Sequence, residues 1–137
     1  MFEDLHLVPE DGRAVAVFSA SAERRAALAD ALSWLVTRRF QTEDLDADHV
    51  LALRAAGALA DRLDEFRGVE GLAPVRVTSD QVRLLIEASW AYIADRDVDS
   101  YQPPEERARI DELTGMGDRL FDLVAELDRA DKILSAS

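Results

Sequence analysis

Val77-Thr-Ser-Asp-Gln-Val-Arg-Leu-Leu-Ile-Glu-Ala-Ser-Trp-Ala-Tyr-Ile-Ala-Asp-Arg96 is the stretch on which the reading of the fold turns. Thr78 with Gln81 three residues on spells a capping box, in which each side chain satisfies a backbone N–H of the other. Val77 and Val82 flank that box as a hydrophobic staple. Asp80 stands in the first turn, where the helix dipole favours a carboxylate. Val82, Leu85, Ile86, Ser89, Tyr92 and Ile93 then share one face, and Arg83 and Glu87 mark the opposite one. This is the pattern of an amphipathic, core-facing helix, here expected over 78–96 with the rest of the chain packing on it. Trp90 belongs to neither face, lying beside Ile86 at the edge of the Arg83–Glu87 stripe.

Three more helices are expected around it. Ser19 or Ser21 opens one over 19–40, with Leu28, Ala29, Leu32, Leu35, Val36 and Phe40 inward and Trp34 projecting from the other side near Asp30 and Arg38. Its four arginines, Arg24, Arg25, Arg38 and Arg39, read as counter-charge for an acidic chain, since no stacking ladder of aromatics accompanies them. Asp46 caps a helix over 47–67 that stops at Gly68. Its small middle, Arg54-Ala-Ala-Gly-Ala-Leu-Ala60, invites close approach of a neighbour, with Ala56, Leu59, Leu63 and Phe66 inward. Pro104 suits the first turn of a last helix over 104–134. There Ile110, Leu113, Gly117, Leu120, Val124, Leu127, Asp131 and Leu134 step by three and four in a heptad-like seam. Gly115-Met-Gly117 leaves open whether that helix is continuous or broken, because each glycine costs about 1 kcal/mol in a helix interior.

The N-terminus reads differently. Leu5–Val8 and Arg13–Phe18 alternate around Pro9-Glu-Asp-Gly12, which predicts a β-hairpin over 1–18. A hairpin alone is marginal, so it needs a surface to pack on, and Val75-Arg-Val77 is a candidate third strand. The expectation is a single, mainly α domain over 1–137: a four-helix bundle-like body with that hairpin and short strand.

Composition bounds the function. The chain has 137 residues, enough for one core, and a net charge of −12. That charge opposes binding to nucleic-acid phosphates or anionic lipid and favours a basic protein partner. With no cysteine, thiolate metal sites, disulfides and a cysteine nucleophile are excluded. The acidic N-terminus is unlike a signal peptide and no apolar run spans a membrane, so a cytoplasmic protein without membrane contact is expected.

The search for chemistry returns little. Phosphate-binding loops, dinucleotide fingerprints and nucleophile elbows are missing from the sequence, and His6 and His49 stand in no recognisable catalytic context. Asp95, Asp97, Asp99 and Glu106 fall at the first, third, fifth and twelfth positions of a calcium-loop template between two helices. The resemblance is to the loop alone. Ser100 replaces the turn glycine, and Pro103-Pro104 interrupts the lead into the next helix. The pairs Asp61/Asp64 and Asp128/Asp131 are each one turn apart and could line a bundle interior, as a magnesium-dependent, all-helical hydrolase would require. The favoured expectation is a non-catalytic interaction module of regulator, adaptor or inhibitor type. Trp34 and Trp90 are its candidate contacts, because tryptophan is enriched at binding hot spots. The alternatives are calcium at 95–106, the magnesium hydrolase, and a homodimer through the 104–134 helix.

Overall fold

The computed structural model describes residues 2–42, 44–96 and 101–136. They form, in order, β1 (Glu3–Glu10), β2 (Arg13–Ala20), α1 (Ala22–Thr42), α2 (Ala47–Asp64), β3 (Ala73–Val77), α3 (Ser79–Asp95) and α4 (Pro104–Ser135). The protein is therefore mainly helical, with an N-terminal antiparallel hairpin and a third strand.

The hairpin turns on two residues, Asp11 and Gly12, with φ of 53° and 79°. Positive φ at both positions is the type I′ turn, whose twist matches that of the flanking strands. Strand order is β1-β2-β3, all antiparallel, with Leu7 opposite Ala16 and Ala16 opposite Val77. The even-numbered residues of β2, Ala14, Ala16, Phe18 and Ala20, are all buried on one side, and α4 lies across them.

α3 begins as its sequence spells it. The Thr78 hydroxyl accepts from the Gln81 N–H at 3.3 Å, and the Gln81 side chain accepts from the Thr78 N–H at 2.9 Å. α1 and α3 each touch all three other helices. α1 is buried on more sides. Its buried residues Ala27, Leu28, Ala29, Ala31, Leu32 and Leu35 cover more than one face, which a central helix requires. Its contact with α2 is the most extensive between helices, through Leu53, Ala56, Leu59, Ala60 and Leu63 of α2. Phe40, expected inward, is 55% exposed. α2 stops at Asp64 rather than near Arg67, and Phe66 in the turn that follows is half-buried.

Two polar residues fasten these layers. Arg25 is 2% exposed, and its guanidinium donates to the carbonyls of Ala20, Phe66, Val69 and Gly71. It thereby binds the turn after α2 to the start of α1. Arg25 works through carbonyls, whereas Arg24, Arg38 and Arg39 meet Glu112, Asp95 and Glu87 as counter-charges. Asp131 of α4 accepts from the Ala14 N–H at 2.7 Å and from the Ser79 hydroxyl at 3.1 Å. Ala14 lies two residues beyond the last β2–β3 pair, so a carboxylate here replaces the strand carbonyl that β3 no longer supplies.

α4 runs unbroken for 32 residues through both glycines, about 48 Å at 1.5 Å per residue. Gly117 earns its position by contact: a Cβ there would lie 3.3 Å from Cζ2 of Trp90, whereas Gly115 faces open space. The seam residues Ile110, Leu113, Gly117, Leu120 and Leu127 are buried against this chain's own core. What α4 leaves outside is chiefly Phe121, 50% exposed, and Ile133, 72% exposed.

Candidate functional site

Trp34, Asp95 and Glu106, singled out from separate parts of the sequence, come together where the end of α1, the end of α3 and the first turns of α4 meet. The Trp34 ring stands edge-on to Tyr92, with centroids 5.6 Å apart at 81°. The Arg38 and Arg96 guanidinium carbons lie 5.5 and 5.3 Å from the Trp34 centroid, and Arg96 also covers Tyr92 at 3.6 Å. Cations over aromatic faces are favourable, more so where water is partly excluded. Glu106 ties the cluster together. Its Oε1 accepts from the Tyr92 hydroxyl and from Arg96 Nε, both at 2.7 Å, and its Oε2 from Arg109 Nη1 at 2.8 Å. Arg109 reaches on to Asp30 at 3.0 Å, and Asp30 accepts Arg67 at 2.9 Å. One chain of alternating charges thus links α1, α3, α4 and the turn after α2.

The electrostatics of the cluster act as a clamp on Tyr92 and Glu106. Burial, with the hydrogen bond to Glu106, pushes the Tyr92 hydroxyl up from its ordinary value. Partial burial pushes Glu106 up as well, but hydrogen bonds from Tyr92 and Arg96 and the charges of Arg96 and Arg109 outweigh it and hold the carboxyl below its ordinary value. Both groups move away from neutrality, whereas proton transfer works best with a pKa near the working pH.

The calcium-loop positions divide. Asp97 and Asp99 lie outside the described residues. Asp95 pairs with Arg38 and Arg96, both at 3.0 Å, and Glu106 has guanidinium partners on both oxygens. Among the described residues no group of three His, Asp or Glu side chains could hold a metal ion. The hydrolase carboxylates do not line an interior. Asp61 is exposed, Asp64 pairs with Arg67, Asp128 pairs with Arg83, and Asp131 holds the sheet end. His49 closes back on its own helix cap, with Nδ1 2.8 Å from Asp46.

Trp90 stands apart from this cluster. It is 46% exposed, its ring laid on the bare backbone of Gly117. Phe121 follows Gly117 by one turn and is half exposed, so the two aromatics border the same outer seam between α3 and α4. A second open region lies at β1. Leu5 and Leu7 are 46% and 36% exposed above α4, over a groove of about 490 Å³ whose lining includes Phe2 and Leu123.

Arg109, Tyr92 and Asp131 as site-builders were missed at the level of sequence. In the sequence Tyr92 is a core position, and Asp131 is both a step of an apolar seam and half of a carboxylate pair. A carboxylate on such a seam is itself the signal, because a buried charge needs partners. Comparison with family models, curated proteins and solved structures finds no match for this chain.

Proposed function

We propose that this chain is a non-catalytic, acidic interaction module that holds a basic protein partner by surface complementarity, with Trp90 as its aromatic anchor. The observation that carries this reading is how the basic residues are used. Arg24, Arg38, Arg39, Arg67, Arg76, Arg83, Arg96 and Arg109 each sit within ion-pair distance of a carboxylate of the same chain. With 28 acidic residues against 16 basic ones, internal pairing leaves a surplus of negative charge to be met from outside. Such a surplus steers basic partners and repels phosphate backbones. Trp90 adds what charge alone lacks, a large apolar contact already fixed in place by Gly117.

In this reading the four helices act as a bundle-like scaffold, stiffened by the Glu106 cluster, that presents the acidic surface. Trp34 supports the scaffold, and Trp90 meets the partner. A cytoplasmic setting suits a cysteine-free chain, and a homodimer would have to use the exposed strip of α4 rather than its seam.

The test is affinity capture from the native cell with the wild-type chain and Trp90→Ala, at low and high salt, with quantitative mass spectrometry. A basic protein retained by the wild type, lost in salt and depleted with Trp90→Ala supports the reading. Retention indifferent to both changes sinks it.

A further inference from the structure

We infer that the outer edge of β1 is a strand-addition site for an extended peptide segment that alternates apolar and basic residues. The inference rests on the reading of a basic partner but concerns a different surface from Trp90. It starts at the turn. Glu10 and Arg13 flank a two-residue loop and so form a hydrogen-bonded pair. The antiparallel ladder alternates from there, making Val8–Val15 and His6–Val17 the other bonded pairs. Leu7 opposite Ala16 and Pro9 opposite Ala14 are the intervening positions, and their backbone groups point away from β2. Pro9 fits this register, since it has no N–H to leave unpaired. Ala14 confirms it from the other side of β2, because its N–H points outward and is taken by Asp131.

β1 is the end strand of the sheet, so the Leu7 N–H, the Leu7 carbonyl and the Pro9 carbonyl face outward along an edge. An edge of this kind is a template for another strand. Beneath it, Leu5 and Leu7 look onto α4 across the groove of about 490 Å³, where the side chains of an added strand would fall at every second position.

Charge selects the occupant. On the α4 rim Asp122 and Glu126 stand beside Arg119 and Arg129, the latter 3.0 Å from Glu126, so the acidic bias comes from Asp4 beside the open segment and from the net charge of −12. A second copy of this chain would bring its own β1 acids and another net charge of −12 to the same cleft. A segment with Lys or Arg around its apolar positions meets those acids instead, so the charges that disfavour self-pairing favour a basic strand.

The experiment titrates the full chain with a capped heptapeptide alternating Lys and Val, read by amide NMR and hydrogen exchange. Shifts in β1 and around Leu123, slowed exchange of the Leu7 amide and weakening on added salt are expected. A peptide with Glu in place of Lys, or with Pro at its centre, should bind at least about tenfold more weakly. Leu7→Lys, or Leu5→Lys should the first variant lose its fold, should cost a similar factor, and Trp90→Ala should cost none. Dissociation weaker than about 1 mM, shifts confined to other surfaces, or indifference to both Leu variants overturns the inference. Sedimentation showing a dimer abolished by Leu7→Lys also overturns it, by assigning the edge to a second copy. A native partner that still requires Trp90 while the peptide fails leaves the broader interaction reading standing.

Discussion

Trp34 and Trp90 sit on neighbouring helices, each displaced from its helix's core face, and meet opposite surroundings. Trp34 is half-buried, with Tyr92 against its edge and two guanidiniums within reach of its ring. Trp90 lies against Gly117 and has nearly half its surface open. The difference comes from what crosses each helix. At Trp34 three helix ends converge and bring long arginines with them. At Trp90 α4 passes closely because residue 117 has no side chain. An off-face tryptophan is therefore ambiguous until its neighbours are known.

The contrast predicts unequal effects on stability. Trp34→Ala removes a T-shaped ring pair and the surface on which Arg38 and Arg96 lie, and should destabilise by about 2 to 3 kcal/mol in chemical denaturation. A loss below about 1 kcal/mol would show that the cluster does not hold the helices together.

Glu106→Gln tests the same cluster by charge and should cost about 1 to 2 kcal/mol at neutral pH. The sign of its pH dependence follows from the depressed carboxyl. A group whose pKa is lower folded than unfolded contributes fully above its unfolded value, ~4.3 for glutamate, and loses that contribution as pH falls through the folded value. The gap between wild type and Glu106→Gln should accordingly be widest near pH 7 and close on acidification. A gap constant across the acid range would mean that Glu106 is not held below its ordinary value.

What the sequence made legible, and what it hid, divides along the same line. The capping box of Thr78 and Gln81, the type I′ hairpin at Asp11-Gly12 and the Pro104 start are local, so residues a few positions apart suffice to read them. Arg25 was legible in principle: Leu28, Ala29 and Leu32 follow it at three, four and seven residues, which places it on the buried face. Its charge argued otherwise, and only the carbonyls of residues 66, 69 and 71 resolve the conflict. Glu106, Arg109 and Asp30 meet across α1 and α4, and no periodicity within one helix encodes that meeting. Trp90 was placed correctly at an edge, yet the reason it stays there lies on another helix.

The two glycines of α4 sharpen the Trp90 side. Gly115→Ala has open space for its methyl and should stabilise by up to about 1 kcal/mol with tryptophan fluorescence unchanged. Gly117→Ala gains the same helix propensity but puts a methyl 3.3 Å from Trp90 Cζ2. The half-exposed ring can yield by a few tenths of an ångström, so the net gain should be smaller and the emission should shift red. Equal gains with equal spectra would show that the ring does not rest on residue 117.

Trp90→Ala carries the most functional information. A side chain 46% exposed gives up only part of its area on folding. Truncation should therefore lower stability by about 1 to 2 kcal/mol, less than Trp34→Ala. If Trp90 anchors a partner, its loss from the complex should exceed its loss from the fold, since desolvation of the exposed half occurs only on binding. Calorimetry of the variant with the captured partner, set beside its denaturation curve, compares the two directly. A binding loss no larger than the folding loss would make Trp90 a second Trp34, a packing residue that is merely less well covered.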